Sequence, residues 1–194
     1  MSDLTAKILA FAGSEREGSY NKMILKIAAE EAGRTGATVT LIDLKNYPLP
    51  LYNADFEEKN GLPENAKKLK KLFLENNGLL LACPEYNSSI TPLLKNTLDW
   101  VSRPEGSEIY LSCYKNKIAA LISTSTGNLG GLRGLVTVRA MLENIGVIVL
   151  PEQISIINAI EAFDENGNLK DANRQEAIRK IGANLTKFLL SLNC

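Results

Sequence analysis

The residues able to do chemistry gather in three short polar stretches. The first is Gly13-Ser14-Glu15-Arg16-Glu17-Gly18-Ser19-Tyr20-Asn21, which joins an apolar run to a helical pattern. The first N–H groups of a helix have no internal partner, and the helix dipole adds partial positive charge at that end. Ser14, Ser19 and Asn21 add side-chain donors, and Arg16 adds a permanent planar cation suited to phosphate. The simpler reading of the same residues is a polar turn with Ser19 as a helix N-cap. No G-x-G-x-x-G follows the first strand and no G-x-x-x-x-G-K-[ST] occurs, so neither common nucleotide fingerprint is present. A terminal monophosphate held by one loop suits the stretch.

The second stretch is Pro84-Glu85-Tyr86-Asn87-Ser88-Ser89, and the third runs from Ser123 to Gly131. Histidine is absent from the chain, which excludes Ser-His-Asp and Cys-His nucleophile systems and any histidine-ligated metal. Cys83, Cys113 and Cys194 form no close pair and no metal-ligand spacing, so they are expected reduced, in a cytoplasm. An enzyme built this way would take its chemistry from a cofactor.

The elements that must position these stretches are legible as alternating patterns. The chain has 194 residues, 45% apolar and 23% charged, as expected for one domain spanning residues 1–194. Lys and Arg number 22 and so do Asp and Glu, so the formal net charge is zero. Lys67-Lys68 and Lys70-Lys71 read as the wet face of a helix rather than a nucleic-acid patch. No apolar stretch reaches about 18 residues, so no membrane span is expected. The first residues lack the basic and apolar regions of a signal peptide.

Ile8–Ala12, Val39–Ile42, Leu79–Cys83, Ile118–Ile122 and Val147–Leu150 read as five strands. Helical periods separate them. One runs from Tyr20 to about Gly33, another starts at Pro63, a third opens at Thr91-Pro92, and a fourth ends near Asn144. A last one spans about Asp171 to Leu192. Two prolines make Tyr47–Asp55 irregular, with Leu49, Leu51 and Tyr52 either anchoring the loop or covering a ligand or partner. Arg103–Asn116 reads as a loop. The alternation implies an α/β fold, a doubly wound parallel sheet of order 2-1-3-4-5 with helices on both faces. The three polar stretches leave strands one, three and four, adjacent in that order, and so converge on one crevice.

On these residues the chain resembles the NAD(P)H-dependent FMN reductases, closest to the bacterial branch of quinone, chromate and azo-dye reductases. The resemblance runs over roughly residues 6–155. It rests on the first stretch, on Pro84-Glu85-Tyr86-Asn87-Ser88, on Leu93-x-Lys95-Asn96-x-Leu98-Asp99-Trp100 and on Gly130-Gly131-x-Arg133. It implies a flavodoxin-like fold with FMN bound and NAD(P)H as co-substrate. Ser14, Arg16, Ser19, Tyr20 and Asn21 would hold the phosphate. Pro84, Glu85, Tyr86, Asn87 and Ser88 would line the ring, with Ser123 and Thr124 approaching from the fourth strand. Hydride would pass from nicotinamide to flavin N5, then on to a quinone, azo, metal or flavin acceptor by a ping-pong route. Glu15 and Glu17 stand where relatives often carry an apolar and a basic residue. The resemblance also implies a homodimer or homotetramer, with Arg133 and Glu152 at positions of inter-subunit ion-pair partners and Val136 replacing an accompanying tyrosine. A core role for Tyr86 and turn capping by Ser123 and Thr124 are the plainer alternatives.

Two other functions fit a phosphate crevice. One is a flavodoxin-type electron carrier, against which zero net charge argues, since carriers steer by charge. The other is a phosphate- or nucleotide-binding regulator without flavin.

Overall fold

Apolar runs without polar alternation belong in a sheet covered on both faces, and the central strands follow this rule. The computed structural model describes residues 5–192; Cys194 and the first four residues lie outside them. β1 (Lys7–Ala12) leads through the first polar stretch to α1 (Tyr20–Arg34) and β2 (Thr38–Leu41). α2 (Ala54–Asn60) and α3 (Glu64–Glu75) precede β3 (Gly78–Ala82). A small hairpin, β4 (Glu85–Tyr86) and β5 (Ser89–Ile90), leads to α4 (Pro92–Ser102). β6 (Ile118–Thr124), α5 (Leu132–Asn144), β7 (Ile148–Ile156), α6 (Ala159–Ala162) and α7 (Ala172–Ser191) complete the chain.

The main sheet has the order β2-β1-β3-β6-β7 with every pair parallel. Counted over that sheet alone, this is the predicted 2-1-3-4-5 arrangement. Successive side chains on a strand point to opposite faces, so each central strand feeds two cores. Ile8, Ala10, Leu80, Ala82, Ala120 and Ile122 meet Ile24 and Ala28 of α1 and Ile178 and Leu185 of α7. Leu9, Phe11, Leu79, Leu81, Ala119 and Leu121 meet Leu69 and Phe73 of α3, Leu98 of α4 and Leu142 of α5. Among the described residues no helix is long and apolar enough to cross a membrane.

Three expectations change. The fifth strand does not stop at Leu150 but continues through Pro151 to Ile156. β7 is an edge strand whose register against β6 shifts between Ala119 and Leu121, and an edge irregularity tolerates proline. Arg139 supports this place, donating to the carbonyls of Val149 at 3.2 Å and Leu150 at 2.7 Å. Lys70 is not on a wet face: it is buried, paired with Glu108 at 2.7 Å and donating to the Arg103 carbonyl, because the 103–116 loop folds over it. In the proline-bearing segment, Leu49 packs on the second core. The Tyr52 ring stands edge-on to Trp100, centroids 5.1 Å apart, while Leu51 is 80% exposed. The anchoring and surface roles left open for this segment are therefore divided among its residues. Asn53 then starts α2, its side chain accepting from the Phe56 N–H at 2.9 Å.

α1 and α7 approach so closely that a Cβ on Gly182 would lie 1.9 Å from the Ala28 carbonyl oxygen, whereas one on Gly33 would meet nothing. An exposed helical Gly→Ala change gains about 0.5–1 kcal/mol, and overpacking costs about 1–3 kcal/mol. Gly33→Ala is therefore expected to raise stability to urea and Gly182→Ala to lower it, a sign difference that paired unfolding curves read directly.

Candidate functional site

The carboxyl ends of β1, β3 and β6 carry the three polar stretches to one cleft. Its walls are Ser14, Arg16, Ser19, Tyr20 and Asn21 from the first stretch and Pro84, Glu85 and Tyr86 from the second. Thr124, Ser125 and Thr126 come from the third.

The first loop is electrostatically arranged for an anion. No acidic side chain sits in the first turn of α1, so the positive end of its dipole is not offset there. Ser19 occupies the N-cap position but makes no side-chain capping bond. Ser14 Oγ accepts from the Arg16 N–H at 3.4 Å. The Arg16 side chain is exposed and has no hydrogen bond or ion pair among the described residues. Of the two unexpected carboxylates, Glu17 is paired with Lys45 at 2.8 Å and Glu15 is exposed. The Tyr20 ring stacks on Phe163, centroids 5.4 Å apart. Just beyond the loop, Lys22 pairs with Asp43 at 2.6 Å. Burial raises the Asp43 carboxyl, but the Lys22 ammonium and the Lys45 amide outweigh it and hold the carboxyl below its usual range.

The three loops are tied to one another by buried side chains. Thr91 Oγ1 donates to the Gly13 carbonyl at 2.9 Å and accepts from the Leu94 N–H at the start of α4. Asn21 Nδ2 donates to the Thr124 carbonyl at 2.9 Å, and its Oδ1 accepts from the Thr124 N–H at 3.1 Å. Ser123 Oγ donates to the Cys83 carbonyl at 2.6 Å. Thr124 Oγ1 donates to the Ile156 carbonyl at 2.8 Å. The Glu85 carboxylate accepts from the Gly134 N–H at 2.8 Å.

These bonds redistribute the roles expected from sequence. Ser123 is fully buried and its hydroxyl is spent on Cys83, so its side chain is not on the cleft wall. A Cβ on Gly131 would lie 1.9 Å from that hydroxyl, which leaves no room for a larger residue before α5. Asn21 lines the cleft, yet its amide is used to pin the first loop to the third. Asn87 and Ser88 form the turn of the β4–β5 hairpin with φ of 51° and 66°, and neither lines the cleft. Ser88 Oγ instead accepts from Arg133 Nη1 at 3.1 Å. Tyr86 is 54% exposed and so not a core residue. Ser125 and Thr126 also line the cleft, and their signal in the sequence is the hydroxyl run that continues past Thr124.

Two outcomes test this wiring. Asn21→Ala would orphan the buried N–H and carbonyl of Thr124, and a loss of about 1–3 kcal/mol in urea unfolding is expected. Asp43, depressed in the folded protein, contributes stability that is full above the unfolded carboxylate pKa and is lost as pH falls through the lower folded value. The stability difference between the protein and Asp43→Asn should therefore hold near neutrality and shrink below about pH 4.

Known proteins align with this architecture. The family model described as NADPH-dependent FMN reductase matches residues 6–161. An NADPH:quinone oxidoreductase of Arabidopsis thaliana is 31% identical, covering 96% of this chain and 93% of its own. An NAD(P)H-dependent FMN reductase of Pseudomonas aeruginosa is 34% identical, covering 93% and 92%. The solved structure of FerB, a flavoenzyme NAD(P)H:(acceptor) oxidoreductase from Paracoccus denitrificans, superposes with a TM-score of 0.79 at 25% identity, covering 96% of this chain and 98% of that one. By the match over most of its length and by relatives above 30% identity, this flavodoxin-like chain belongs to the NADPH-dependent FMN reductase family of oxidoreductases.

Proposed function

We propose that the cleft holds FMN and that NAD(P)H and an oxidised acceptor use its open side in turn. What carries this reading is the set of donors with nothing else to do: the Arg16 guanidinium, the uncapped Ser19 hydroxyl and the first amides of α1, all facing one cleft. Together they match a dianionic phosphate better than any neutral group. Glu17 does not oppose that charge, because Lys45 neutralises it. Ser14 and Tyr20 complete the phosphate end.

Pro84, Glu85 and Tyr86 offer a wall whose backbone can pair with the polar edge of a flat ring, with Thr124, Ser125 and Thr126 across from it. Held there by these residues, FMN would supply the hydride and electron transfer between NAD(P)H and the acceptor. The chain's own part is to bind, orient and limit access. It has no histidine. One open side shared by both substrates favours ping-pong kinetics and broad acceptor choice: quinones, azo compounds, oxidised metal species such as the oxyanion chromate, or free flavin.

A homodimer or homotetramer is part of the same reading. Val136 is 60% exposed and Leu51 80%, and Arg133 and Glu152 are both at the surface, as an interface between copies would require. Cys83 and Cys113 are buried and unbridged, consistent with a reducing cytoplasmic setting.

Arg16→Ala should leave the fold intact and weaken FMN binding by about ten- to a hundredfold, the worth of a charge-assisted contact. Flavin fluorescence titration reads it, and wild-type affinity in the variant would remove Arg16 from the site. Steady-state rates with NADH or NADPH against a quinone should give parallel double-reciprocal lines; intersecting lines would reject the shared-side scheme.

A further inference from the structure

The Glu85 carboxylate lies at the edge of the cleft but is engaged elsewhere. It accepts the backbone N–H of Gly134, 49 positions away, at 2.8 Å. Gly134 is the third residue of α5, and α5 lacks a cap of its own. Its N-cap residue, Gly131, has no side chain and a φ of 90°, and no acidic residue occupies the first turn. A helix start of this kind needs an acceptor for its third amide and a negative charge for its dipole. Glu85 supplies both from a different element.

The contact is close by construction. A Cβ on Gly134 would lie 3.2 Å from Glu85 Cβ and 3.4 Å from the Ser89 carbonyl oxygen, so glycine lets the hairpin rest on the helix. A second bond, Arg133 Nη1 to Ser88 Oγ at 3.1 Å, holds the far end of the same hairpin. Residues 87 and 88, both at positive φ, close it as a two-residue turn, and Glu85 pairs with Ile90 across it. The hairpin carries the Pro84–Tyr86 wall, so whatever fixes the hairpin fixes that wall.

We propose that Glu85 is the positioning residue of the ring-side wall. Its carboxylate, seated on the amino end of α5, locks the hairpin in place. It also places a negative charge at the cleft's edge, which the partial positive charge of the helix offsets only in part. This rests on the flavin reading of the cleft. That charge disfavours the additional electrons of a reduced ring relative to an uncharged side chain in its place, so the charge and the clamp have separable consequences. Glutamine keeps an acceptor for Gly134 and loses the charge; alanine loses both.

The test compares Glu85→Ala and Glu85→Gln with the unchanged protein. Amide hydrogen exchange over residues 85–90 and 132–135, measured without flavin, reads the clamp alone. Alanine should speed exchange there and raise the FMN dissociation constant about tenfold, the worth of a lost charge-assisted bond. Glutamine should restore most of both. The midpoint potential of bound FMN should be less negative in the glutamine variant than in the unchanged protein. Unaltered exchange in the alanine variant, or a glutamine variant as impaired as alanine, overturns the proposal. Should alanine prevent folding, the glutamine variant decides, and an unshifted potential counts against Glu85. If the unchanged protein takes up no FMN, the flavin reading fails, while the exchange comparison still judges the clamp.

Discussion

Buried side chains that hydrogen-bond to the backbone of a different loop are the constraint on which the cleft depends. A parallel sheet delivers its loops to one end, but strand pairing stops where the strands stop. At the last residues of β6 and beyond the other strands, Thr91, Asn21, Ser123 and Thr124 take over, joining the loops after β1 and β3 to the ends of β6 and β7. Each such bond is worth only about 1 kcal/mol net, but breaking one leaves a buried backbone group unpaired at about 1–3 kcal/mol. Among the described residues no buried side-chain nitrogen or oxygen is left without a partner. These bonds hold the rim through the chain's own side chains.

What the rim leaves unused is as informative as what it uses. Arg16 and Ser19 are not drawn into the network, and they stand at the amino end of α1 where an anion is favoured. The Glu17–Lys45 pair is exposed on both sides and adds little to stability. Its effect is local: it removes a carboxylate from the field of the loop. Cys83 follows β3 directly toward the cleft wall, and complete burial pushes its thiol far above the ordinary range. Cys113 is raised for the same reason.

The long irregular segments are held by the same kind of bond. Trp100 Nε1 donates to the Pro50 carbonyl at 2.8 Å, and Asn96 bonds both Pro50 and Tyr52. Arg103 pairs with Glu57 at 2.9 Å while lying 5.6 Å from the centre of the Tyr52 ring. Tyr114 donates to the Leu98 carbonyl at 2.7 Å, fixing the end of the 103–116 loop on α4. These contacts explain how residues 47–60, with two prolines near the start, keep one path across the surface.

The amino-acid sequence by itself determined where the five strands of the main sheet begin, their order and the three polar turns, but not how far the fifth runs or the small β4–β5 hairpin. Continuous apolar runs such as Ile8–Ala12 and Leu79–Ala82 admit few other environments, and right-handed crossovers limit the order. It also determined the family, through loop residues whose spacing is local. Tertiary structure alone decided who meets whom. Nothing near Asn21 announces that its amide belongs to Thr124, 103 positions on, rather than to a phosphate. Nothing near Ser123 points to Cys83, and nothing around Lys70 shows the loop that buries it. Residue type states what a side chain can bond to. Which partner it gets depends on elements far along the chain arriving at the same place, and only the folded chain brings them there.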